Sequence, residues 1–314
     1  MILSHDIGDY PEGIVLPIDK PYRWTSADVI RKLKFAAIKH FGKKNLKVGH
    51  AGTLDPLATG VLLVCIGPAC KRAQELQDHD KEYVAGIRFG ATTPSYDLEK
   101  AVDRTFPFDH ITADAVRSAL PAFLGEQEQI APLFSAKSVD GVRAYELARK
   151  MYKQHSSDFD TAALETLHRS RIVISELELL SFRDALQVDS QESVPPTAHE
   201  WEGPIVGQNG WQACLADGMT GNGRDEDQRS EDSREFTCNA SSRINVSDTS
   251  SLGLPEAVIR IACSKGTYIR AFARDLGEAL GSGAHLSSLV RTRSGSFRIQ
   301  DALSLPAALS LLAP

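Results

Sequence analysis

A long acidic segment limits how this chain of 314 residues can fold. Residues 184–256 carry 14 aspartates and glutamates against 4 lysines and arginines, and they are rich in Ser, Gly, Asn, Gln and Thr. Runs such as GNGRDEDQRSEDSRE (221–235) show no helical or strand period. Such a sequence buries too little apolar area to offset the entropy lost on ordering. We therefore expect a largely disordered insertion, with the folded domain divided between residues 1–183 and 257–314.

Strand and helix patterns alternate in the two parts outside the insertion. The pattern after 257 predicts a strand and then a helix up to 280, and the chain closes with a strand (GSFRI) and a helix (LPAALSLL). The interleaving favours an α+β fold with a mixed, mostly antiparallel central sheet and flanking helices. Before the insertion, the predicted strands are 13–21, 61–67, 81–90 and 170–182, and the predicted helices begin at Ser26 as N-cap, at Thr112 (through Phe123) and at Ala144 (through Tyr152).

Composition excludes several classes of protein. No stretch approaches the roughly 18 apolar residues of a membrane-spanning helix, and the start, MILSHDIGDYPEG, lacks the features of a secretory signal. Five scattered cysteines are too few for a disulfide framework. Cys65 and Cys70 lack partners at zinc spacing, so we expect buried thiols and no metal. The cytoplasm is the expected location.

The net charge of -6 conceals two basic blocks. Residues 19–72 hold 11 basic side chains against 3 acidic ones, and residues 257–300 hold 7 against 2. A solvated helix face explains either block alone. Two such blocks favour a polyanionic partner instead, and the helix that follows Ser26 could pack inward while its outer face meets phosphates. The basic residues of that outer face are Arg31, Lys32, Lys34 and Lys39.

Asp55 is the first candidate for chemistry. An isolated Asp-Pro is usually a turn, but this one lies in GTLDPLATG, where Gly52 and Gly60 allow a backbone to approach a ligand closely. A carboxylate on such a loop can act as a nucleophile or a base. It needs a neighbouring cation to stay ionised in a dry pocket, and Arg270 in CSKGTYIRAF is a candidate.

These segments resemble the TruB-type family of tRNA pseudouridine synthases, which modify uridine 55 in the T-arm. The similarity covers roughly 13–182 and 257–305. The segments GTLDPLATG and CSKGTYIR carry it most specifically, because neither is explained by ordinary turn or helix patterns. The matching blocks are IDKPYRWTS (18–26), KVGHAGTLDPLATGVL (47–62), DKEYVAGIRFGATTPSYD (80–97), QIAPLFSAKSVDGVRAYELAR (129–149) and CSKGTYIRAFARDLGEALGSGAHLSSLVRTRSGSF (263–297).

The resemblance implies the pseudouridine synthase fold, a reaction and the roles of three catalytic residues. Asp55 matches the nucleophile, whose target is either ribose C1′ or uracil C6. Arg270 matches the arginine that pairs with this carboxylate. Tyr83 matches the tyrosine that stacks on the target base and takes the C5 proton, although a strand tyrosine is as often a core residue. The reaction needs no metal and no redox cofactor.

The resemblance also implies a set of residues that bind a uridine flipped out of its stack. His50 matches the histidine that fills the space left by the nucleotide, Leu289 packs on the uracil, Tyr268 lies in the same motif, and Lys20 comes from the N-terminal motif. Charge clustering alone makes further side chains candidates for phosphate contacts. These are Lys43, Lys44, Lys47, Lys71, Arg72, Arg291 and Arg293.

Several positions depart from the family pattern. Arg23 replaces a usual Gly, Ala131 a usual Pro, and Ser138 stands where a lysine is common. The chain ends soon after GSFRIQDAL, which leaves no room for the C-terminal PUA domain of many relatives. We therefore expect a stand-alone bacterial enzyme that acts as a monomer on tRNA. Two alternatives are open: an RNA-binding or tRNA-folding module whose catalysis is dispensable, and a hydrolytic glycosidase that uses Asp55.

Overall fold

The computed structural model describes residues 3–132, 138–139, 142–143, 169–185 and 244–313. The predicted helix at Ala144–Tyr152 therefore lies outside the described residues, as does the side chain of Ser138. The helices are α1 (Ser26–His40), α2 (Ala73–Asp78), α3 (Ala113–Ala119), α4 (Ile269–Ala279) and α5 (Leu305–Leu311). The strands are β1 (Ile14–Lys20), β2 (Val48–Ala51), β3 (Thr59–Ile66), β4 (Lys81–Phe89), β5 (Ala91–Thr92), β6 (Arg104–Thr105), β7 (Gly125–Ile130), β8 (Ser138–Val139), β9 (Val142–Arg143), β10 (Arg169–Arg183), β11 (Glu256–Cys263), β12 (Ala284–Ser294), β13 (Phe297–Arg298) and β14 (Leu303–Ser304).

The described residues fall into two compact units. The first unit contains the chain up to Leu76, Ile244, and everything from Phe297 onwards. The second unit contains the described residues from Gln77 to Ala185 and from Asn245 to Ser296. Both units combine sheet strands with helices, and this mixed sheet with flanking helices confirms the predicted α+β class.

The first unit is built on the sheet order β14-β1-β3-β2. Strand β1 alternates buried and half-buried residues, whereas β3 is buried almost throughout. Burial therefore follows a period of two residues along β1, whereas β3 is a continuous apolar run. One face of β2 and β3 closes a small core with the segment after β3. That core consists of Ala51, Val61, Leu63, Cys65, Ala69 and Leu76.

Helix α1 begins one residue earlier than the sequence predicts. The N-cap is Thr25, whose hydroxyl accepts the Asp28 N–H while the Asp28 carboxylate accepts the Thr25 N–H. This reciprocal capping box satisfies two backbone donors at once. The prediction of Ser26 as N-cap is therefore wrong, and its buried hydroxyl points to different partners.

The turn before α1 explains one departure from the family pattern. Arg23 has a φ of 61°, the left-handed conformation that glycine adopts without cost. For a residue with a side chain, such as arginine, this conformation costs about 1–2 kcal/mol. The Arg23 guanidinium donates to the Ile244 carbonyl at 2.7 Å, a contact that glycine lacks.

The second unit is built on the antiparallel sheet order β12-β4-β11-β10-β7. The odd-numbered residues of β4 are buried, and they face the buried residues of β11 in register. Helix α4 packs against β12 and β4. The sequence predicts β4, β10 and β11 correctly but not β12, although β12 is an 11-residue strand.

Residues 244–256, the last part of the predicted acidic insertion, belong to the described structure. Thr249 is 2% exposed, and its hydroxyl lies 2.8 Å from an Arg88 Nη1 donor and 3.2 Å from His285 Nε2. Ser247 donates its N–H to the Leu98 carbonyl. Residues 245–255 are therefore docked on the second unit and lead directly into β11.

Candidate active site

The loop that carries Asp55 joins β2 to β3 in the first unit. Gly52 and Gly60 both have a φ of 94°, which L side chains rarely adopt, so the loop is bounded by two positions where glycine is required. Between them, the Ala58 N–H donates to the Asp55 carbonyl and closes a tight turn. The Asp55 side chain is half-buried. A short, constrained loop thus presents one carboxylate.

The two residues that flank Asp55 are each bonded to a buried side chain. Leu54 donates its N–H to the Ser26 hydroxyl at 3.0 Å, and its carbonyl accepts from the same hydroxyl at 3.1 Å. On the other side, the Pro56 carbonyl accepts from the Lys20 ammonium at 3.1 Å. The backbone is thereby fixed immediately before and after Asp55.

Lys20 does not lie where a phosphate ligand would. It is fully buried, and its ammonium also donates to the carbonyls of Pro21 at 3.0 Å and Trp24 at 2.6 Å. With three carbonyl acceptors it has used the three donors of an ammonium. Because Lys20 is fully buried, it does not contact the substrate as the sequence predicts. Its ammonium instead stabilises the Asp55 loop through the Pro56 carbonyl.

His50 lies on β2, opposite Val64 of β3. Successive strand residues point to opposite faces, and Ala51 points into the core of the first unit. His50 therefore points to the other face and is half-buried there. Its predicted contact with the substrate stays a prediction.

Tyr83 and Leu289 share one face of the sheet in the second unit. Tyr83 on β4 lies opposite Arg291 of β12, and Ala85 lies opposite Leu289. Directly opposed residues of an antiparallel pair point the same way, so Tyr83 and Leu289 are diagonal neighbours on that face. Tyr83 is 9% exposed and Leu289 is half-buried. The sheet register thus brings together an aromatic ring and an aliphatic side chain, which are suitable walls for a planar base.

Arg270, at the start of α4, is held by a carboxylate that sequence reasoning missed. It is 5% exposed, its Nε lies 3.8 Å from an Asp97 carboxylate oxygen, and its Nη1 donates to the Ser95 carbonyl at 3.2 Å. Asp97 also accepts from the Ser95 hydroxyl at 2.6 Å and from the Glu99 N–H at 2.9 Å. The buried guanidinium therefore has an ionic partner and a carbonyl acceptor within the second unit. Its predicted pairing with Asp55 stays a prediction.

Gln129 fixes the residue that precedes α4. Its side-chain amide accepts the Tyr268 N–H at 2.8 Å and donates to the Tyr268 carbonyl at 3.2 Å, and Gln129 itself is 4% exposed. Tyr268 is the N-cap of α4 and has no capping side chain of its own. Gln129 thus sets where α4 begins, two residues before Arg270. The sequence offered a signal, because Gln129 opens a family-like block, but the contact itself joins two distant segments.

A buried lysine lies two residues before Tyr83 on β4, and a buried cysteine lies opposite that lysine on β11. Lys81 is 5% exposed, and desolvation and the neighbouring Arg291 lower its pKa to about 8. Its ammonium donates to the carbonyls of Gln77 and His79. Cys263, directly opposite on β11, has its pKa raised to about 11 by burial. The Cys263 thiol therefore stays protonated near neutral pH, and the Lys81 ammonium loses its proton more easily than an exposed lysine does.

The basic residues predicted to contact phosphate differ in their exposure to solvent. Arg291 is 1% exposed, so the expectation that it binds phosphate is wrong for the structure as it stands. Arg293 is half-buried and donates to the Gly295 carbonyl. The exposed candidates are Lys43, Lys44, Lys47, Lys71 and Arg72.

Two further searches cover only the part of the chain that the structure describes. There, histidine, cysteine and acidic side chains form no group of three able to hold a metal ion. None of the described helices has the length and apolarity that crossing a bilayer requires.

Sequence comparison connects these features to known proteins. The family model "TruB family pseudouridylate synthase (N terminal domain)" matches residues 39–190, and "tRNA pseudouridylate synthase B C-terminal domain" matches residues 270–310. The chain is 41% identical to tRNA pseudouridine synthase B of Phocaeicola vulgatus, over 95% of this chain and 92% of that protein. The protein of the same name from Deinococcus deserti is 34% identical, over 93% of this chain and 77% of that protein.

Comparison with solved structures supports the fold. A chain of a Cbf5-Nop10-Gar1 complex superposes with a TM-score of 0.53 at 21% identity. The match covers 97% of this chain but only 56% of the solved one. At this identity the likeness shows a shared fold.

Proposed function

The chain belongs to the TruB family of pseudouridylate synthases, and from that premise we propose that it converts uridine 55 in the T-arm of tRNA to pseudouridine. Its relatives make it a tRNA pseudouridine synthase, which is an isomerase. The choice of the T-arm uridine, and of Asp55 as the nucleophile, rests on the resemblance of its motifs to those of the TruB-type family.

One observation carries the mechanism: a constrained loop holds a single half-buried carboxylate with both of its neighbours anchored. Asp55 attacks either ribose C1′ or uracil C6, and the N1–C1′ bond of the nucleoside breaks. The uracil ring turns in place, C5 bonds to C1′, and the aspartyl bond is released. Loss of the C5 proton and gain of a proton at N1 complete an isomerisation whose product has the composition of the substrate. A carboxylate at an anomeric centre is also the nucleophile of retaining glycosidases.

The second unit supplies the surroundings of the base. Tyr83 stacks on the flipped uracil and accepts the C5 proton, while Leu289 packs on the same ring. Arg270 stabilises the Asp55 carboxylate, because its planar fork can serve two carboxylates and its guanidinium is always charged. Asp97, whose carboxylate lies 3.8 Å from the Arg270 Nε, is the ionic partner of this guanidinium within the second unit.

Substrate binding follows from the exposed basic side chains of the first unit. The outer face of α1 presents Arg31, Lys32, Lys34 and Lys39, and the segment from α1 to β2 adds Lys43, Lys44 and Lys47. His50 fills the space that the flipped nucleotide vacates in the T-loop. Because phosphate contacts release counterions, affinity for tRNA should fall steeply with salt. We place the enzyme in the cytoplasm as a monomer acting on free tRNA.

The decisive experiment replaces the nucleophile. Asp55→Asn keeps the size of the side chain but removes the charge, so it should abolish pseudouridine formation while T-arm stem-loop RNA binds within about threefold of the unsubstituted protein. Asp109→Asn, at an exposed carboxylate of the second unit, is the matched control and should be fully active. Tritium release from C5-labelled uridine, together with mapping of the product, measures the reaction.

The same assay separates the alternatives. Undiminished product from Asp55→Asn would remove Asp55 from its role. Free uracil released by the unsubstituted protein would indicate a glycosidase. RNA binding without any product from the unsubstituted protein would indicate a binding or folding module.

A further inference from the structure

Ser26 makes a contact that its position in α1 does not require. Thr25 already caps the helix, so the Ser26 hydroxyl is not needed there. Ser26 is 3% exposed, and its hydroxyl bonds to both the N–H and the carbonyl of Leu54, at 3.0 and 3.1 Å. A serine hydroxyl has one donor and two acceptor sites, which suit this pairing with one backbone residue.

The contact fixes both backbone polar groups of the residue before Asp55. Leu54 is 4% exposed, so water has little access to replace the hydroxyl. Its side chain is buried as well, which prevents the segment from turning outward without exposing apolar surface. The N-terminus of α1 therefore determines where the peptide that leads into Asp55 lies.

We propose that Ser26 is a positioning residue for Asp55: it aligns the carboxylate for attack and does not itself touch the substrate. This inference rests on the proposed role of Asp55 as the nucleophile. Catalysis by a held nucleophile is sensitive to position, since a misplacement of about 1 Å can cost about 100-fold in rate. RNA affinity depends mainly on other residues, so the effect should fall on kcat.

Ser26→Ala should lower kcat 10- to 100-fold, with KM for a T-arm stem-loop changed less than threefold. The control is Thr25→Ala, one residue away, which removes the capping box but leaves the Leu54 contact in place. It should lower the melting temperature at least as much as Ser26→Ala while keeping kcat within about twofold. Ser26→Thr retains the hydroxyl and should recover most of the lost kcat.

Amide hydrogen exchange supplies a readout independent of activity. The Leu54 N–H should exchange at least 10-fold faster in Ser26→Ala than in Thr25→Ala, because only the former removes its acceptor. The proposal is overturned if Ser26→Ala keeps full kcat, if both variants lose kcat in proportion to their melting temperatures, or if Leu54 exchange is unchanged. An active Asp55→Asn would overturn the proposed function itself, whatever the behaviour of Ser26.

Discussion

The two units position their candidate catalytic groups by different means. The first unit holds Asp55 through its backbone: glycines bound the loop, and the neighbours Leu54 and Pro56 are bonded to Ser26 and Lys20. The second unit holds Arg270 through its charge, in a buried contact with Asp97. The carboxylate that must attack is thus positioned through the peptides on either side of it, whereas the cation that must only stabilise charge lies beside a carboxylate of its own unit.

The largest effect should come from breaking the charged contact. In Asp97→Asn the nearly fully buried Arg270 loses this ionic partner, and breaking a buried pair by removing one member costs about 3–5 kcal/mol. We expect urea unfolding to show a loss of about 3 kcal/mol, together with a fall in kcat of about 100-fold. A variant as stable as the unsubstituted protein would show that the second unit does not depend on this charge.

The backbone-held loop should be sensitive at its glycines. Gly60→Ala places a Cβ at a φ of 94°, which costs about 1–3 kcal/mol and shifts the peptide that follows Asp55. Gly42→Ala is the matched control, because its φ of 61° is also positive, a Cβ there meets no atom within 4 Å, and the residue lies outside the Asp55 loop. Both should lower the melting temperature, and only Gly60→Ala should lower kcat by 10-fold or more. Equal kcat losses would contradict a loop-specific effect.

These contrasts also show what the sequence could and could not predict. Asp55 was predictable because its loop is one contiguous motif with glycines at both ends. Asp97 was missed because its role depends on Arg270, which the fold alone brings near. Strand β12 was missed because AHLSSLVRTRS contains serines and arginines where a strand is expected to be apolar. The burial of Lys20 and Arg291 was likewise invisible, since charged residues in a motif are ordinarily exposed.

A titration should detect the burial of Lys81 in the second unit. Its pKa is lowered to about 8 in the folded state against about 10.4 in an unfolded chain. Between these values the unfolded chain binds more protons, so stability should rise with pH by up to about 1.4 kcal/mol per unit. Urea unfolding at pH 7.5, 8.5 and 9.5 measures the slope, and Lys81→Met should remove most of it. A slope unchanged by Lys81→Met would assign the titration to another group.

The smallest effect should come from an ion pair of the second unit that is not buried. Arg117 and Asp114 pair on the surface of α3, with side chains 61% and 91% exposed, so solvent screens their attraction. Asp114→Asn should change the free energy of unfolding by no more than about 0.5 kcal/mol and leave kcat unchanged. Asp97→Asn and Asp114→Asn both remove one negative charge from an ion pair. Comparing them therefore shows how much of the loss is caused by burial of the pair. A loss comparable to that of Asp97→Asn would mean that the second unit depends on ion pairs in general. A negligible loss assigns the dependence to the low-dielectric surroundings of Arg270, where an ionic contact has no water to replace it.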